Sequence, residues 1–426
     1  MLSDDELKEI LVRQRAVIQN KDYGIERTVL KDLAPRVRIP HVIVLTGLRR
    51  SGKSTLLRQI MREYYHDSDF YYINFEDERL FDFLASDFNR LYEVLVSLYG
   101  KQKTFFLDEI QNVDRFEIFV RRIYEEGFKF FITGSSAALL SKEIGTKLTG
   151  RHLDAKVNPF SFLEFLDLKG LKLNKESMYL TESKASIRGF FEEYLIKGGM
   201  PEYLIFNDQE ILGEVYNDIV IKNIAARHKI ENITVLRQLY LYLISNFASK
   251  FSYNSIKKFT TIKSVNTIKK FIGYLEDTYF GTTISKFDYS YKKQVINDKK
   301  FYLLDNGFID ILSRTFSSDK GRLLENLVFV NLNLEGEVFY YYDVNECDFL
   351  LTKNKKVQQA IQVCYDLNEK NREREFKGLL AALKEFGLSG GLILTSSQSE
   401  EVEIEGKRIS IRPVWKWLLE KTDKVI

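Results

Sequence analysis

Val42-Ile43-Val44-Leu45-Thr46-Gly47-Leu48-Arg49-Arg50-Ser51-Gly52-Lys53-Ser54 is the stretch that decides the fold. Its first five residues form a short, mostly β-branched apolar run of the kind that makes a buried parallel strand. The next eight read G-x4-G-K-[ST], and Thr55-Leu56-Leu57-Arg58-Gln59-Ile60-Met61 continues as a helix, the context that this pattern requires. Each residue type has a task there. Glycines let backbone N–H groups curl around a β-phosphate, the helix N-terminus adds partial positive charge, Lys53 reaches the β- and γ-phosphates, and the Ser54 hydroxyl ligates Mg²⁺. Gly47, Arg50, Ser51, Gly52, Lys53, Ser54 and Thr55 are therefore the candidate nucleotide-binding residues. The expected class is α/β with a parallel sheet around a phosphate loop.

Thr104-Phe105-Phe106-Leu107 predicts a second buried strand, which ends in Asp108-Glu109. A nucleotide hydrolase places at that point one acid for magnesium and a second carboxylate to orient and activate water. Asp108 is the candidate metal acid, beside Ser54, and Glu109 the candidate base. A third strand, Phe128-Lys129-Phe130-Phe131-Ile132, delivers Thr133-Gly134-Ser135-Ser136. Ser135 is the candidate to hydrogen-bond the γ-phosphate or its attacking water; Ser135 or Ser136 fits equally well as the N-cap of a helix over Ala137-Ala138-Leu139-Leu140. Arg151, after Leu148-Thr149-Gly150 and before another strand, is a candidate arginine finger or else a surface arginine.

Thr46 to Ser54, Phe106-Leu107-Asp108-Glu109-Ile110-Gln111, Ile132 to Ser136, Thr149-Gly150-Arg151, Pro159-Phe160-Ser161-Phe162, Glu164-Phe165 and Gly198-Gly199-Met200-Pro201-Glu202 together resemble a known group. It is that of the prokaryotic AAA+ ATPases with a C-terminal domain of unknown function, related to the archaeal ATPases and the origin-recognition-like branch. The resemblance covers most of the chain. It implies a P-loop AAA+ domain and ATP, with Mg²⁺, as the nucleotide; a guanine-reading Asn/Thr-Lys-x-Asp pattern is absent.

At 426 residues the chain is too long for one hydrophobic core, and 45% hydrophobic with 29% charged residues and five prolines is the composition of an ordinary globular protein. No run approaches the ~18 apolar residues of a membrane span. The acidic start Ser3-Asp4-Asp5-Glu6 is unlike a secretory signal, so the expectation is a cytoplasmic protein with no membrane partner. Two cysteines and four scattered histidines exclude a zinc enzyme. Ser3 to Glu6 also reads as a capping box for an amphipathic helix carrying Leu7, Ile10, Leu11 and Val17.

The net charge of +3 is uneven, since residues 250 to 300 hold eleven lysines against four acids. Such an island suits a polyanion partner, and lysine-rich surface is also a common solubility device. Three helices are predicted here, the third N-capped by Ser264 with Val265, Ile268, Ile272 and Leu275 on its buried stripe. Two β-like runs follow, separated by Lys292-Lys293. This reads as a winged helix-turn-helix that places Lys263, Asn266, Lys269, Lys270, Lys292 and Lys293 on double-stranded DNA, or that serves protein contact instead.

In the last hundred residues a helix with Glu325, a strand with Asp348, a strand Ile361-Gln362-Val363-Cys364 and a following helix resemble, in order and spacing, a PD-(D/E)XK nuclease. Gln362 stands where a carboxylate is expected and Cys364 where a lysine is expected. An amide is a poor Mg²⁺ ligand and a thiol cannot supply the ammonium's charge, so a degenerate site is expected. The sequence thus predicts an AAA+ core with its N-terminal helix over 1–160, a helical lid or connector over 161–230, a winged helix over 231–314 and a degenerate PD-(D/E)XK-like α/β domain over 315–426. The expected function is an Mg²⁺-dependent ATPase acting as a DNA-associated switch or motor, possible as a homo-oligomer. The competing readings are a non-hydrolysing, ATP-bound regulatory protein and an ATP-coupled nuclease.

Overall fold

Val42–Thr46 is strand β1, and all five of its residues are buried. The computed structural model describes residues 2–66, 69–135, 148–313 and 319–421. Four strands flank β1: β2 (Tyr71–Asn74), β3 (Thr104–Asp108), β4 (Lys129–Gly134) and β5 (His152–Lys156). They form one parallel sheet in the order β2-β3-β4-β1-β5. Strand alternation splits the apolar residues between two cores. Ile43 and Leu45 pack with Leu56, Leu57, Phe106 and Phe131 on one face, while Val42 and Val44 pack with Leu91, Phe105, Phe119 and Phe130 on the other. Helices cover both faces, as an all-parallel sheet requires.

The N-terminal helix, Asp4–Asn20, starts in the expected capping box, with the Glu6 N–H donating to Ser3 Oγ at 3.2 Å and the Ser3 N–H to Glu6 Oε2 at 2.6 Å. It buries Leu7, Ile10, Leu11, Gln14 and Ile18. Val17 is a correction: it is 59% exposed, because the helical period from Leu7, Leu11 and Gln14 lands on Ile18. β4 runs through Thr133 and Gly134, past the expected end at Ile132. Ser136 and the helix expected over Ala137 to Leu140 lie outside the described residues.

Two compact units emerge, Met1–Pro159 with Asp277–Tyr279, and Phe160–Glu276 with Phe280–Ile426. The second holds the three later segments expected as separate domains. It begins with the helices Phe162–Leu168, Thr181–Lys197, Pro201–Phe206 and Glu210–Asp218, the last continuing as a π-helix over Ile219–Ala226. Next come the helix Ile233–Ser245, β6 (Lys250–Phe251), the helices Tyr253–Phe259 and Val265–Glu276, β7 (Gly281–Ser285) and β8 (Lys299–Leu303). The three strands pair antiparallel in the order β6-β8-β7. The segment between β7 and β8, where Lys292-Lys293 separate the two β-like runs, contains a short helix, Tyr291–Ile296.

Lys299 and Lys300 correct the reading of the basic island. Both are buried in β8, 6% and 3% exposed, so two of its eleven lysines are not surface charge. The helix Lys320–Leu332 then leads into a six-stranded sheet, β13-β14-β12-β11-β10-β9. Its members are β9 (Glu337–Tyr342), β10 (Glu346–Lys353), β11 (Lys356–Val363), β12 (Gly390–Thr395), β13 (Glu400–Ile404) and β14 (Lys407–Pro413). β9, β10 and β11 form an antiparallel meander, and the helix Arg372–Glu385 carries the chain to β12, parallel to β11. Asp305, just past β8, is buried and accepts from the N–H groups of Gly199 at 2.6 Å and Gly307 at 2.9 Å, which ties Gly198-Gly199 to this unit's core.

Candidate active site

The loop after β1 leads into the helix Lys53–Tyr64, whose N-cap Gly52 has φ +97°. The Lys53 ammonium turns back over the loop, 3.3 Å from the Gly47 carbonyl oxygen and 3.2 Å from that of Leu48. It also lies 3.5 Å from Glu109 Oε1. Ser54, in the first turn, donates through Oγ to Asp108 Oδ1 at 3.1 Å. So the residues expected to handle phosphate, metal and water meet although they come from segments more than fifty positions apart. Arg50 sits at φ 62° in the loop, and Ser51 and Thr55 flank the Gly52-Lys53-Ser54 turn.

Asp108 is buried at the tip of β3, and burial, followed by the neighbouring Glu109 charge, pushes its pKa up, against hydrogen bonds from Thr133 and Ser54. Burial also pushes Glu109 up, but Lys53 and the Gln111 amide outweigh it and the net direction is down. Glu109 is thus held as a carboxylate, with Gln111 Nε2 donating to its Oε2 at 2.5 Å. Its own backbone is left-handed, φ 50°, an unusual conformation for a non-glycine residue at a chemical site.

The sequence missed Thr133. Its hydroxyl donates to Asp108 Oδ1 and accepts the Glu109 N–H at 2.9 Å, which fixes both acids relative to β4. Tyr72 adds a longer bond to Asp108 Oδ2, 3.4 Å. The signal for Thr133 was present, since it shares strand parity with Ser135, the residue chosen. Ser135 is buried one position past β4. Arg151 pairs with Glu125 Oε1 at 2.8 Å within its own unit, and its side chain is 40% exposed.

The loop fits a bound nucleotide phosphate. A Cβ at Gly47 would lie 2.2 Å from the Val157 carbonyl oxygen, so only glycine passes. Ser51 Oγ is buried without a hydrogen-bond partner among the described residues, a polar atom that a ligand oxygen could satisfy. A cleft of about 410 Å³ reaches Ser54, Tyr72 and Asp108, giving a divalent ion access to the one hydroxyl and one carboxylate that would hold it.

The second unit holds another polar centre. Glu325, Asp348, Gln362 and Cys364 line one cavity of about 680 Å³, together with Glu346 and Glu375. Gln362 Nε2 donates to Glu375 Oε2 at 2.6 Å, the Asp348 N–H to Gln362 Oε1 at 3.3 Å, and the Val363 N–H to Asp348 Oδ2 at 2.9 Å. Lys300, from β8, reaches this cluster. Its ammonium is 2.9 Å from Glu325 Oε1, 2.7 Å from Glu346 Oε1 and 3.7 Å from Asp348 Oδ1. Lys250 lies 2.7 Å from Glu346 Oε2, and Tyr302 donates to Glu325 Oε1 at 2.6 Å. Three acidic side chains therefore face two ammonium groups. Burial and the Glu325 charge push Asp348 well above the usual carboxylate range. Burial works against the Lys300 ammonium, but the carboxylates and Tyr302 around it push its pKa well above the ordinary lysine value. Lys300, Glu346 and Glu375 escaped the sequence reading because Lys299-Lys300 read as surface charge and nothing in the spacing tied β8 to β10. Cys364 is buried just past β11, its thiol pushed up to about 11 by burial.

On the helix Val265–Glu276, Ile268, Ile272 and Leu275 are buried, and Lys263, Asn266, Lys269 and Lys270 are exposed on and beside it. Lys292 and Lys293 are exposed on the short helix before β8. Among the described residues no helix is long and apolar enough to cross a membrane.

An AAA-domain model matches residues 40–166, and a model of a domain of unknown function, DUF8612, matches residues 188–319. Among solved structures, Aeropyrum pernix ORC1 in a complex with DNA aligns with 75% of this chain and 98% of its own, at 14% identity and a TM-score of 0.30. A Haemophilus influenzae protein described as uncharacterized is 28% identical over 95% of this chain and its own full length. The uncharacterized protein MJ1544 of Methanocaldococcus jannaschii is 38% identical, the match covering 97% of this chain and 94% of that one. With its phosphate loop inside an AAA domain and a relative aligned nearly end to end, the chain belongs to the family of MJ1544.

Proposed function

We propose that the chain binds ATP with Mg²⁺ at the β1 loop and hydrolyses it, in the service of a DNA-associated switch or motor. The observation that carries this is the convergence of Lys53, Ser54, Asp108 and Glu109, with Ser54 Oγ 3.1 Å from Asp108 and Lys53 3.5 Å from Glu109. Loop N–H groups and Lys53 bind the phosphates, Ser54 and Asp108 hold the metal, and Glu109 takes a proton from the attacking water. Mg²⁺, when bound, neutralises charge on the β- and γ-phosphates. Thr133 keeps the two acids in register, and Ser135 is a further contact for the γ-phosphate. Phosphate release by the purified chain, with Mg²⁺ and with EDTA, is the test; no Mg²⁺-dependent turnover would leave the non-hydrolysing reading.

We read the order helix, β6, helix, helix, β7, β8 as a winged helix, supported by the sheet order β6-β8-β7. Exposed Lys263, Asn266, Lys269, Lys270, Lys292 and Lys293 support double-stranded DNA as its partner. Reversing Lys269 and Lys270 to Glu should weaken DNA binding on any sequence and leave ATP affinity untouched; unchanged DNA affinity would point to a protein partner. For the C-terminal lobe the meander, crossover helix and parallel strand support a PD-(D/E)XK-like fold. A buried lysine beside Glu325 and Asp348 supports loss of its metal chemistry. DNA cleavage in Mg²⁺ or Mn²⁺ that disappears in Asp348→Ala would reverse this. Arg151 is proposed as a finger acting on a neighbouring subunit, tested by mixing Arg151→Ala with Lys53→Ala protein and looking for regained turnover.

A further inference from the structure

Arg27 lies well before the phosphate loop in sequence, yet its side chain holds that loop. Its side chain is buried, and its guanidinium donates through Nη1 to the Ser51 carbonyl at 2.8 Å and through Nη2 to the Asn158 carbonyl at 2.6 Å. Ser51 belongs to the loop. Asn158 follows β5, beside Val157, whose N–H donates to the Thr46 carbonyl at 2.6 Å. The arginine therefore braces the loop against the end of the sheet. Gln59, on the helix after the loop, fixes the arginine's own backbone: its Oε1 accepts the Arg27 N–H at 3.0 Å, and its Nε2 donates to the Tyr23 and Ile25 carbonyls, both at 2.8 Å. The guanidinium also occupies the space of a Gly52 side chain, since a Cβ there would lie 2.6 Å from Nη1.

The peptide joining Ser51 to Gly52 is planar and trans, so its N–H points opposite to its carbonyl. A Ser51 carbonyl held toward Arg27 aims the Gly52 N–H away from Arg27. Phosphate binding by a loop depends on such orientation, because a flipped peptide would offer an oxygen to an anion instead of a donor.

We propose that Arg27 is a positioning residue of the nucleotide site, one that locks the Ser51–Gly52 peptide so that the Gly52 N–H faces the β-phosphate. This rests on the nucleotide-binding reading above. Arg27 is buried beneath the loop and acts through Ser51, so its effect falls on phosphate affinity and not on the rate at which bound nucleotide reacts. A lysine keeps the charge but lacks the planar fork that spans two carbonyls in fixed directions.

The test is calorimetric titration of ADP and of inorganic pyrophosphate into wild-type, Arg27→Gln, Arg27→Lys and Lys53→Met protein, with ATP turnover and a melting curve for each. Arg27→Gln should weaken ADP and pyrophosphate alike by about tenfold or more, with kcat at saturating ATP within about threefold of wild type. Arg27→Lys should fall between the two. A purely architectural arginine would lower the fraction of active protein, and so kcat, with Kd and KM unchanged; that result overturns the proposal. If Arg27→Gln is not recovered folded, Arg27→Lys decides: ADP affinity lower by about threefold supports the lock, and unchanged affinity overturns it. Wild-type protein that binds no ADP or ATP defeats the nucleotide-binding reading itself, and the role of Arg27 with it. Wild-type binding that is lost in Lys53→Met isolates the question to Arg27.

Discussion

Lys53 in the first unit and Lys300 in the second are buried lysines that face acids, and their surroundings differ in kind. Lys53 touches two backbone carbonyls at 3.3 and 3.2 Å and one carboxylate oxygen at 3.5 Å, all at the long end of the hydrogen-bonding range. A phosphate oxygen can replace such contacts at small cost. Lys300 has carboxylates at 2.7, 2.9 and 3.7 Å, with a second lysine on one of them. A cation meant to receive an anion is held loosely beside a glycine loop and a helix N-terminus. A cation held by several acids at once is fixed in place, and it leaves those acids little attraction for a metal ion.

The same substitution in both centres should have very different costs. Lys300→Met removes the ammonium from a buried cluster and should cost about 3–5 kcal/mol of unfolding free energy. Lys53→Met loses longer contacts and leaves a single buried acid, Glu109, without its cation, so it should cost clearly less than Lys300→Met while abolishing nucleotide binding. Urea unfolding midpoints measure both, and equal losses would erase the distinction.

Asp305 supplies a buried acid held by backbone N–H groups instead of a lysine. Burial raises its pKa to about 6, so the folded state keeps a proton that the unfolded chain gives up near pH 4. Its contribution to stability is fully present below about pH 4 and is lost as pH rises to about 6, a fall of about 3 kcal/mol. Unfolding free energy across that window, in wild type and Asp305→Asn, reads this out; an unchanged slope in the variant removes Asp305 from the account.

The smallest effect is expected from Mg²⁺ alone. Ser54 and Asp108 provide two protein ligands, and Glu325, Glu346 and Asp348 of the second unit already have Lys300 or Lys250 beside them. Without nucleotide, Mg²⁺ should therefore move the melting temperature by under about 1 °C, whereas ATP with Mg²⁺ at about 100 Kd should add about 2.7 kcal/mol. Strong stabilisation by Mg²⁺ alone that vanishes in Asp348→Asn would mean that the second centre takes a metal after all.

The first unit was legible because its chemistry lies in contiguous runs. Val42 to Ser54 encodes strand, loop and helix start within thirteen residues, and Thr104 to Glu109 encodes a strand tip with its acids. Thr133 was passed over for Ser135, since spacing cannot say which member of one strand face meets Asp108. Arg27 and Gln59 gave no signal, because the groups they bond are backbone carbonyls and an N–H that any sequence supplies. In the second unit Glu325, Asp348, Gln362 and Cys364 were found by order and spacing, and they share a cavity. Lys300 was invisible for the opposite reason: a lysine pair in a lysine-rich stretch looks like solvent-facing charge until β8 is seen to be buried along its whole length.

In the proposed reaction Lys53 binds and Glu109 reacts, and Glu109→Gln separates the two. In a single-turnover assay with labelled ATP, Glu109→Gln should retain ATP with an affinity within about threefold of wild type and convert it at least about a hundredfold more slowly. Lys53→Met should retain none. Conversion at the wild-type rate in either variant would contradict the account, because the chemistry would then lie outside the site built by β1 and β3.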